Sequence, residues 1–335
     1  MRRTLAPFLS LLLCLLAAPN KSGAQNPPFP PPPPGAGSTQ HPGQTDNKDY
    51  RIRSEADLVV LRATVLDQKG EFVPDLKPDN FRVFEDKIEQ KISLFRREDI
   101  PVSMGLVIDN SGSMREKRAQ VNAAALTLVQ TSNPQDEVFV VNFNDEFYLD
   151  LDKDFTNDPK ELREALERID SRGSTALYDA VIGSLDHLKK GRKDKRVLLV
   201  ITDGDDDASR KSFEYTLQAA QQSNGIIYAV GVFSDEDKKN NKRMVRHSKK
   251  ILTTLAETTG GMAYFPDNLA EVNSICTQIA RDIRNQYTLG YYPSNTAKDG
   301  SFRAVHVDLI PPKGHGKLSV RTRTGYYAQK PSAAD

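Results

Sequence analysis

The sequence predicts a doubly wound, mostly parallel α/β sheet flanked by helices and inserted between two strand-rich flanks. Three observations carry that prediction. Between residues 101 and 285 strand-like and helix-like runs alternate, as a sheet covered by helices on both faces requires. Several strand runs are apolar at every position, as in Val197-Leu198-Leu199-Val200-Ile201, which suits strands buried on both faces. Segments 50–100 and 286–328 instead hold short strands punctuated by proline and turn residues.

The 335 residues suffice for one large or two medium domains. With 38% hydrophobic and 27% charged residues and a net charge of +1, the chain has no strong field for polyanions, so nucleic acid is not an implied partner. Residues 1–24 read as an export signal: Arg2 and Arg3 lead, an apolar run from Leu9 to Ala18 follows, and Ser22, Gly23 and Ala24 offer a cleavage site after Ala24. An apolar run of about ten residues is too short to cross roughly 30 Å of hydrocarbon, so no transmembrane segment is expected in the mature chain. Leu12 and Leu13 before Cys14 argue against lipidation. A secreted or periplasmic location is expected, with association to the cell surface open. Residues 25–49, with prolines from Pro30 to Pro34, read as a disordered spacer with polyproline II character, and 329–335 as a tail.

In chain order, 50–100 supplies strands at 58–66, 81–85 and 91–95, with a turn at Gln68-Lys69-Gly70. So few strands leave an apolar face uncovered. They are therefore expected to pair with strands at 286–292, 302–310 and 317–323 into one β-sandwich-like domain. Within 101–285, strands are expected at 102–108, 138–143, 147–151, 196–201, 226–232 and 262–265, and helices at 116–131, 159–169, 176–190, 212–223, 249–259 and 268–285. Asp158 before Pro159 reads as a helix cap. The basic stretch 238–250 reads as a solvated loop. Leu269, Val272, Ile275, Cys276, Ile279 and Ile283 recur at helical spacing, which buries Cys276. As the one cysteine of the mature chain, it can form no intramolecular disulfide. Tyr287, Tyr291, Tyr292, Tyr326 and Tyr327 are assigned to packing within the sandwich.

Open α/β sheets bind ligands beyond the carboxyl ends of their strands. Three such loops carry matching chemistry. After 102–108 comes Asp109-Asn110-Ser111-Gly112-Ser113, before 176–190 comes Gly173-Ser174-Thr175, and after 196–201 comes Thr202-Asp203-Gly204. Each alone could be a helix cap or an ordinary turn. Together, at the rim of one sheet, they offer two carboxylates and several hydroxyls. Hard oxygens of this kind suit Mg²⁺, and Mn²⁺ would also fit.

In this order and spacing the three loops resemble the metal-ion-dependent adhesion site of the von Willebrand factor type A family, over about residues 101–268. The resemblance implies that Ser111, Ser113 and, in one conformation, Thr175 bind a divalent ion directly, while Asp109 and Asp203 do so directly or through water. More loosely, the whole chain resembles a bacterial group of secreted proteins in which such a domain sits between strand-rich flanks. Two carboxylates nearly neutralise the ion without saturating it, so a Glu or Asp of a partner protein is expected to complete the shell. The expected function is an exported, metal-dependent protein-binding module of the adhesion type; an envelope scaffold or assembly factor using the same site is the alternative. A metal-dependent hydrolase is the third class. It is disfavoured because no histidine spacing of a zinc protease, phosphate-cradling loop or nucleophile elbow is present, so no catalytic residue is assigned. The oligomeric state is left open.

Weaker features are read blandly. Asp150, Asp152, Asp154, Asp158 and Glu161 fall at calcium-loop offsets, but Phe155 stands where a sharp turn needs glycine. Asp205, Asp206 and Asp207 are expected to be solvated. The loop of Asp109 is expected to be exposed, so that Asp109→Ala folds normally.

Overall fold

The computed structural model describes residues 58–97, 99–168 and 170–330. The segments read as an export signal and a spacer, and the end of the tail, 331–335, lie outside the described residues.

The central sheet has six strands in the order β10-β9-β8-β5-β6-β7. They are β5 (Val102–Asp109), β6 (Glu137–Phe143), β7 (Phe147–Leu149), β8 (Lys195–Thr202), β9 (Gly225–Gly231) and β10 (Ala263–Tyr264). Only β7 runs antiparallel. Every residue of β5 is buried, because each face of this central strand meets a helical layer. Met104, Leu106 and Ile108 pack with α1 (Arg118–Thr131), α2 (Pro159–Glu167) and α7 (Glu271–Arg284). Val107, on the opposite face, packs with α3 (Leu177–Leu188), α4 (Phe213–Gln222) and α6 (Lys242–Thr259). The period-2 alternation thus splits one apolar run between two cores, the doubly wound α/β arrangement that the sequence predicts. Gly105 is glycine because a Cβ there would strike the Phe139 ring and stand 2.5 Å from Leu198 Cδ2.

Strands from both flanks form two antiparallel sheets. One has the order β13-β1-β11-β4 and the other β14-β12-β2-β3. Here β1 is Val59–Leu66, β2 Phe81–Glu85, β3 Ile88–Gln90, β4 Ile92–Arg97, β11 Tyr287–Tyr291, β12 Phe302–Leu309, β13 Ser319–Arg321 and β14 Gly325–Tyr327. Leu61 faces Leu289 across β1 and β11, and Val83 faces Val307 across β2 and β12. The two sheets share a core in which the Tyr287 ring lies 5.2 Å from Phe81 and 5.7 Å from Phe95. Neither flank has a core without the other, since each supplies strands to both sheets. Polar contacts tie this core to the central sheet: Arg321 donates to Asp282 of α7 (2.9 Å), and Arg323 donates to the Gln221 carbonyl of α4 (2.7 Å).

Several local expectations are corrected. The stretch 238–250 is helical, not a loop: α5 (Asp235–Asn240) leads almost directly into α6. Ser234 and Asp237 form a capping box, and α6 then buries Val245, Ser248, Ile251, Leu252 and Leu255 at helical spacing. Its basic residues fall on the solvent side, which disguised that period. Tyr292 is 57% exposed and lies just past β11, outside the packing in which Tyr287 and Tyr291 are fully buried. The hairpin between β2 and β3 turns on Asp86 and Lys87, both at positive φ (48° and 71°). Such turns usually announce themselves with Asn-Gly or Asp-Gly, which is why β3 escapes the sequence.

Candidate metal centre

The three loops converge at the carboxyl end of the central sheet. β5 ends at Asp109, and a 3-10 turn, Gly112–Met114, bends the chain toward α1. β8 ends at Thr202, and Asp203 follows at once. Because β5 and β8 are parallel neighbours, with Ile108 beside Ile201, both carboxylates leave the sheet side by side. The second loop is zipped to the first: Gly112 N donates to Gly173 O (3.1 Å) and Arg172 N to Asn110 O (2.9 Å).

Four of the five expected ligands form one connected chain. The Ser111 amide donates to Asp109 Oδ1 (2.8 Å), Ser111 Oγ and Ser113 Oγ share a hydrogen bond (3.2 Å), and Ser113 Oγ donates to Asp203 Oδ1 (2.8 Å). Thr175 stands beside this chain without a direct hydrogen bond to it. Its Oγ1 faces Gly204, where a Cβ would meet it at 3.6 Å, an ordinary contact. Its amide donates to Asp207 Oδ1 (2.7 Å), and its carbonyl accepts from the Asp207 and Ala208 amides.

Burial corrects the reading of the first loop as exposed. Asp109 is 0% and Asp203 2% exposed, because the flanking loops and the opening of α1 close over the strand ends. Asp109 therefore sits in the protein interior, accepting from the Ser111 amide and from Thr202 Oγ1 (2.6 Å) with no ammonium or guanidinium hydrogen-bonded to it among the described residues. Burial, and after it the nearby Asp203 carboxylate, push the Asp109 carboxyl up to about 6, against the pull of its hydrogen bonds to Thr202 and Ser111. Asp109→Ala would strip acceptors from both donors, so normal folding no longer follows for that variant.

The sequence reading missed three contributions. Lys117, the buried N-cap residue just before α1, forms an ion pair with Asp203 Oδ2. Its signal is its position one helical turn beyond Ser113, which brings a long cationic stem back over the loop. Thr202 acts through its hydroxyl, on Asp109 and as acceptor for the Gly204 amide (3.2 Å). Nor are the three carboxylates after Gly204 idle in solvent. Asp205 accepts from Ser248 Oγ of α6 (2.9 Å), Asp206 from the Tyr178 amide in the first turn of α3 (2.9 Å), and Asp207 from the Thr175 amide. They position the second loop and a helix, as carboxylates at helix N-termini do.

Among the described residues no group of three or more His, Cys, Asp or Glu is arranged to hold a metal ion. The rim cluster has two carboxylates, and its remaining side-chain oxygens are hydroxyls. Its donor set nevertheless fits a hard divalent cation: two buried carboxylates raise each other's energy, and the oxygens between them are held close. The calcium-like offsets carry different contacts: Asp158 caps α2, Asp150 accepts from Asn142, and Asp152, Asp154 and Glu161 pair with Arg168, Lys190 and Lys153.

Residues 104–205, which hold all three loops, match the family model of the von Willebrand factor type A domain. An uncharacterized protein of Synechocystis sp. is 26% identical over 110 residues, which is 32% of this chain and 26% of that protein. Among solved structures, BatB from Bacteroides thetaiotaomicron is similar over 54% of this chain and 98% of its own, at 19% identity and a TM-score of 0.44. A von Willebrand factor type A protein from Catenulispora acidiphila is similar over 80% of this chain and 74% of its own, at 11% identity and a TM-score of 0.47. The parallel sheet, the three rim loops and the family match together assign residues 104–205 to the von Willebrand factor type A domain family.

Proposed function

We propose that the protein is a metal-dependent protein-binding module acting outside the cytoplasm. Asp109, Ser111, Ser113, Thr175 and Asp203 would hold one divalent cation, Mg²⁺ or Mn²⁺. The observation that carries this reading is the buried Asp109 carboxylate, which has no cationic hydrogen-bond partner among the described residues and is linked to Asp203 through the Ser111 amide and the Ser111 and Ser113 hydroxyls. A bound cation would supply an electrophilic position for a carboxylate from a partner. The chain's own part is to hold the oxygens. Thr202 fixes Asp109, Lys117 takes up one oxygen of Asp203, and Asp207 anchors the Thr175 loop. Nothing in this donor set activates a nucleophile or relays a proton to a bound group, so binding rather than catalysis is the assigned role. Location outside the cytoplasm rests on the pattern of residues 1–24. The fold suits that setting, since the Cys276 thiol is buried and pushed up to about 12, well away from its reactive form.

Calorimetric titration of the chelator-stripped protein with MgCl₂ tests the reading, together with capture of partners from envelope extract. One Mg²⁺ site is expected, lost in Asp109→Asn and in Ser113→Ala, with capture lost in the same variants and in EDTA. Capture that survives EDTA would refute it.

A further inference from the structure

Beside the metal-centre loops, α6 presents a basic stripe that its own stability does not account for. Lys242, Arg246 and Lys250 stand four residues apart on its exposed side, with Arg243 next to the first. Like charges at this spacing destabilise a helix. Lys242 and Arg243 also lie in its first turn, where no acidic residue stands and the helix dipole already places positive charge. None of the four forms an ion pair with a carboxylate among the described residues. Lys249, by contrast, packs its ammonium over the Phe265 ring at 5.0 Å. The stripe borders a groove of about 740 Å³ whose other wall includes Asp205, two residues beyond Asp203. Ser248, on the buried side of α6, donates to Asp205 and fixes the helix against that loop. A chain that breaks two local rules of helix design in one place, beside a binding loop, does so where function compensates.

From this we infer that the partner offers an acidic segment rather than a lone carboxylate. One Glu or Asp would engage the metal centre, and neighbouring carboxylates of the same chain would lie along the groove against Lys242, Arg243, Arg246 and Lys250. The inference rests on the metal-centre reading for the first contact and on α6 alone for the others. It names a polypeptide because the stripe runs along one helix face that Asp205, two residues beyond Asp203, borders, as an extended chain leaving the rim would.

The test uses two labelled probes in Mg²⁺, octaglutamate and a Gly-Ser peptide with one central Glu, measured by fluorescence anisotropy. Wild type should bind octaglutamate about tenfold more tightly, the size that two or three exposed ion pairs give together, and high salt should erase the difference. Combined Lys242→Glu, Arg246→Glu and Lys250→Glu should remove the preference while leaving calorimetric Mg²⁺ affinity and single-Glu binding unchanged. A triple Gln variant with the same expectation guards against misfolding of the charge reversal. Equal affinity for the two probes in wild type, or a preference that survives both triple variants, overturns the inference while Mg²⁺ binding still stands. Wild-type protein that takes up no Mg²⁺ overturns the metal-centre reading instead. Equal peptide affinities with stripe-dependent binding to vesicles rich in phosphatidylglycerol would assign the stripe to a membrane and also overturn the inference.

Discussion

Lys195 opens β8, the strand whose far end delivers Asp203, and its ammonium is buried. It donates to the Ile283 carbonyl in the last turn of α7. Burial, and then the Arg62 guanidinium, bring its pKa down from 10.5 to about 7, against the opposing Asp99 and Asp136 carboxylates. Between pH 7 and 10.5 the unfolded chain therefore holds a proton that the folded chain has released. Stability must rise with pH across that window and level off outside it, where the group has the same charge in both states. With about 1.4 kcal/mol for each unit of displacement, linkage gives a gain of roughly 3 kcal/mol between pH 7 and 9.5. Lys195→Met keeps the stem and removes the proton, so its unfolding free energy should lack this component. Urea denaturation of both proteins at pH 7, 8 and 9.5 isolates it, because every other titration cancels in the difference. The variant's relative advantage should be largest at pH 7 and shrink by about that amount at pH 9.5. A difference constant across the series would mean that Lys195 titrates as in water, and that this end of β8 is less enclosed than described.

Three further outcomes are expected. Tyr287→Phe should cost about 1–3 kcal/mol in urea unfolding, because the hydroxyl donates to Val73 O (2.7 Å) and accepts from the Leu76 amide (3.1 Å) inside the sandwich core. Asp282→Asn should cost about 3 kcal/mol in thermal unfolding, the low end for a broken buried pair, since Arg321 keeps some solvent contact; a loss below about 1 kcal/mol would mean that the tie between sandwich and central sheet is dispensable. Lys117→Met should tighten Mg²⁺ binding about tenfold in calorimetry, because the ammonium occupies an oxygen of Asp203 that a cation would otherwise share; weaker binding would make Lys117 a support of the ligand shell instead.

The central sheet was legible because its strands obey two simple rules at once. Val197 to Ile201 are uniformly apolar, and most helices between strands keep an apolar stripe, so period and length decide most of the long elements. Legibility fails where charge hides period, as in α6, whose buried Val245, Ser248 and Leu252 are separated by exposed cations. It fails again at Asp86-Lys87, where tertiary pairing of β2 with β12 holds two side-chain-bearing residues at positive φ. At the rim, sequence could name the oxygens, since Asp109, Ser111, Ser113 and Asp203 sit at fixed offsets from strand ends. It could not supply the depth of burial, which depends on how far the second loop folds over the first. For the same reason Asp205, Asp206 and Asp207 read as solvated: nothing local to them reveals that Ser248 and the amides of Tyr178 and Thr175 approach from other elements.

Under the proposed metal-centre reading, charge counting links Lys117 to the basic stripe. Asp109 and Asp203 carry two negative charges into a buried rim, and Lys117 returns one positive charge to Asp203. The chain alone is thus left one charge negative there, which favours a dication but overshoots neutrality by one when it arrives. Without Lys117, the same dication would be neutralised by the chain's own carboxylates, and a partner's carboxylate would gain little by displacing water. With Lys117 in place, one incoming carboxylate would restore neutrality in a site where net charge is costly. The cations of α6 extend that deficit outward along a single helix face. Selectivity for acidic partners would then come from charge that the fold withholds from internal pairing, and its cost should be measurable as a less stable α6.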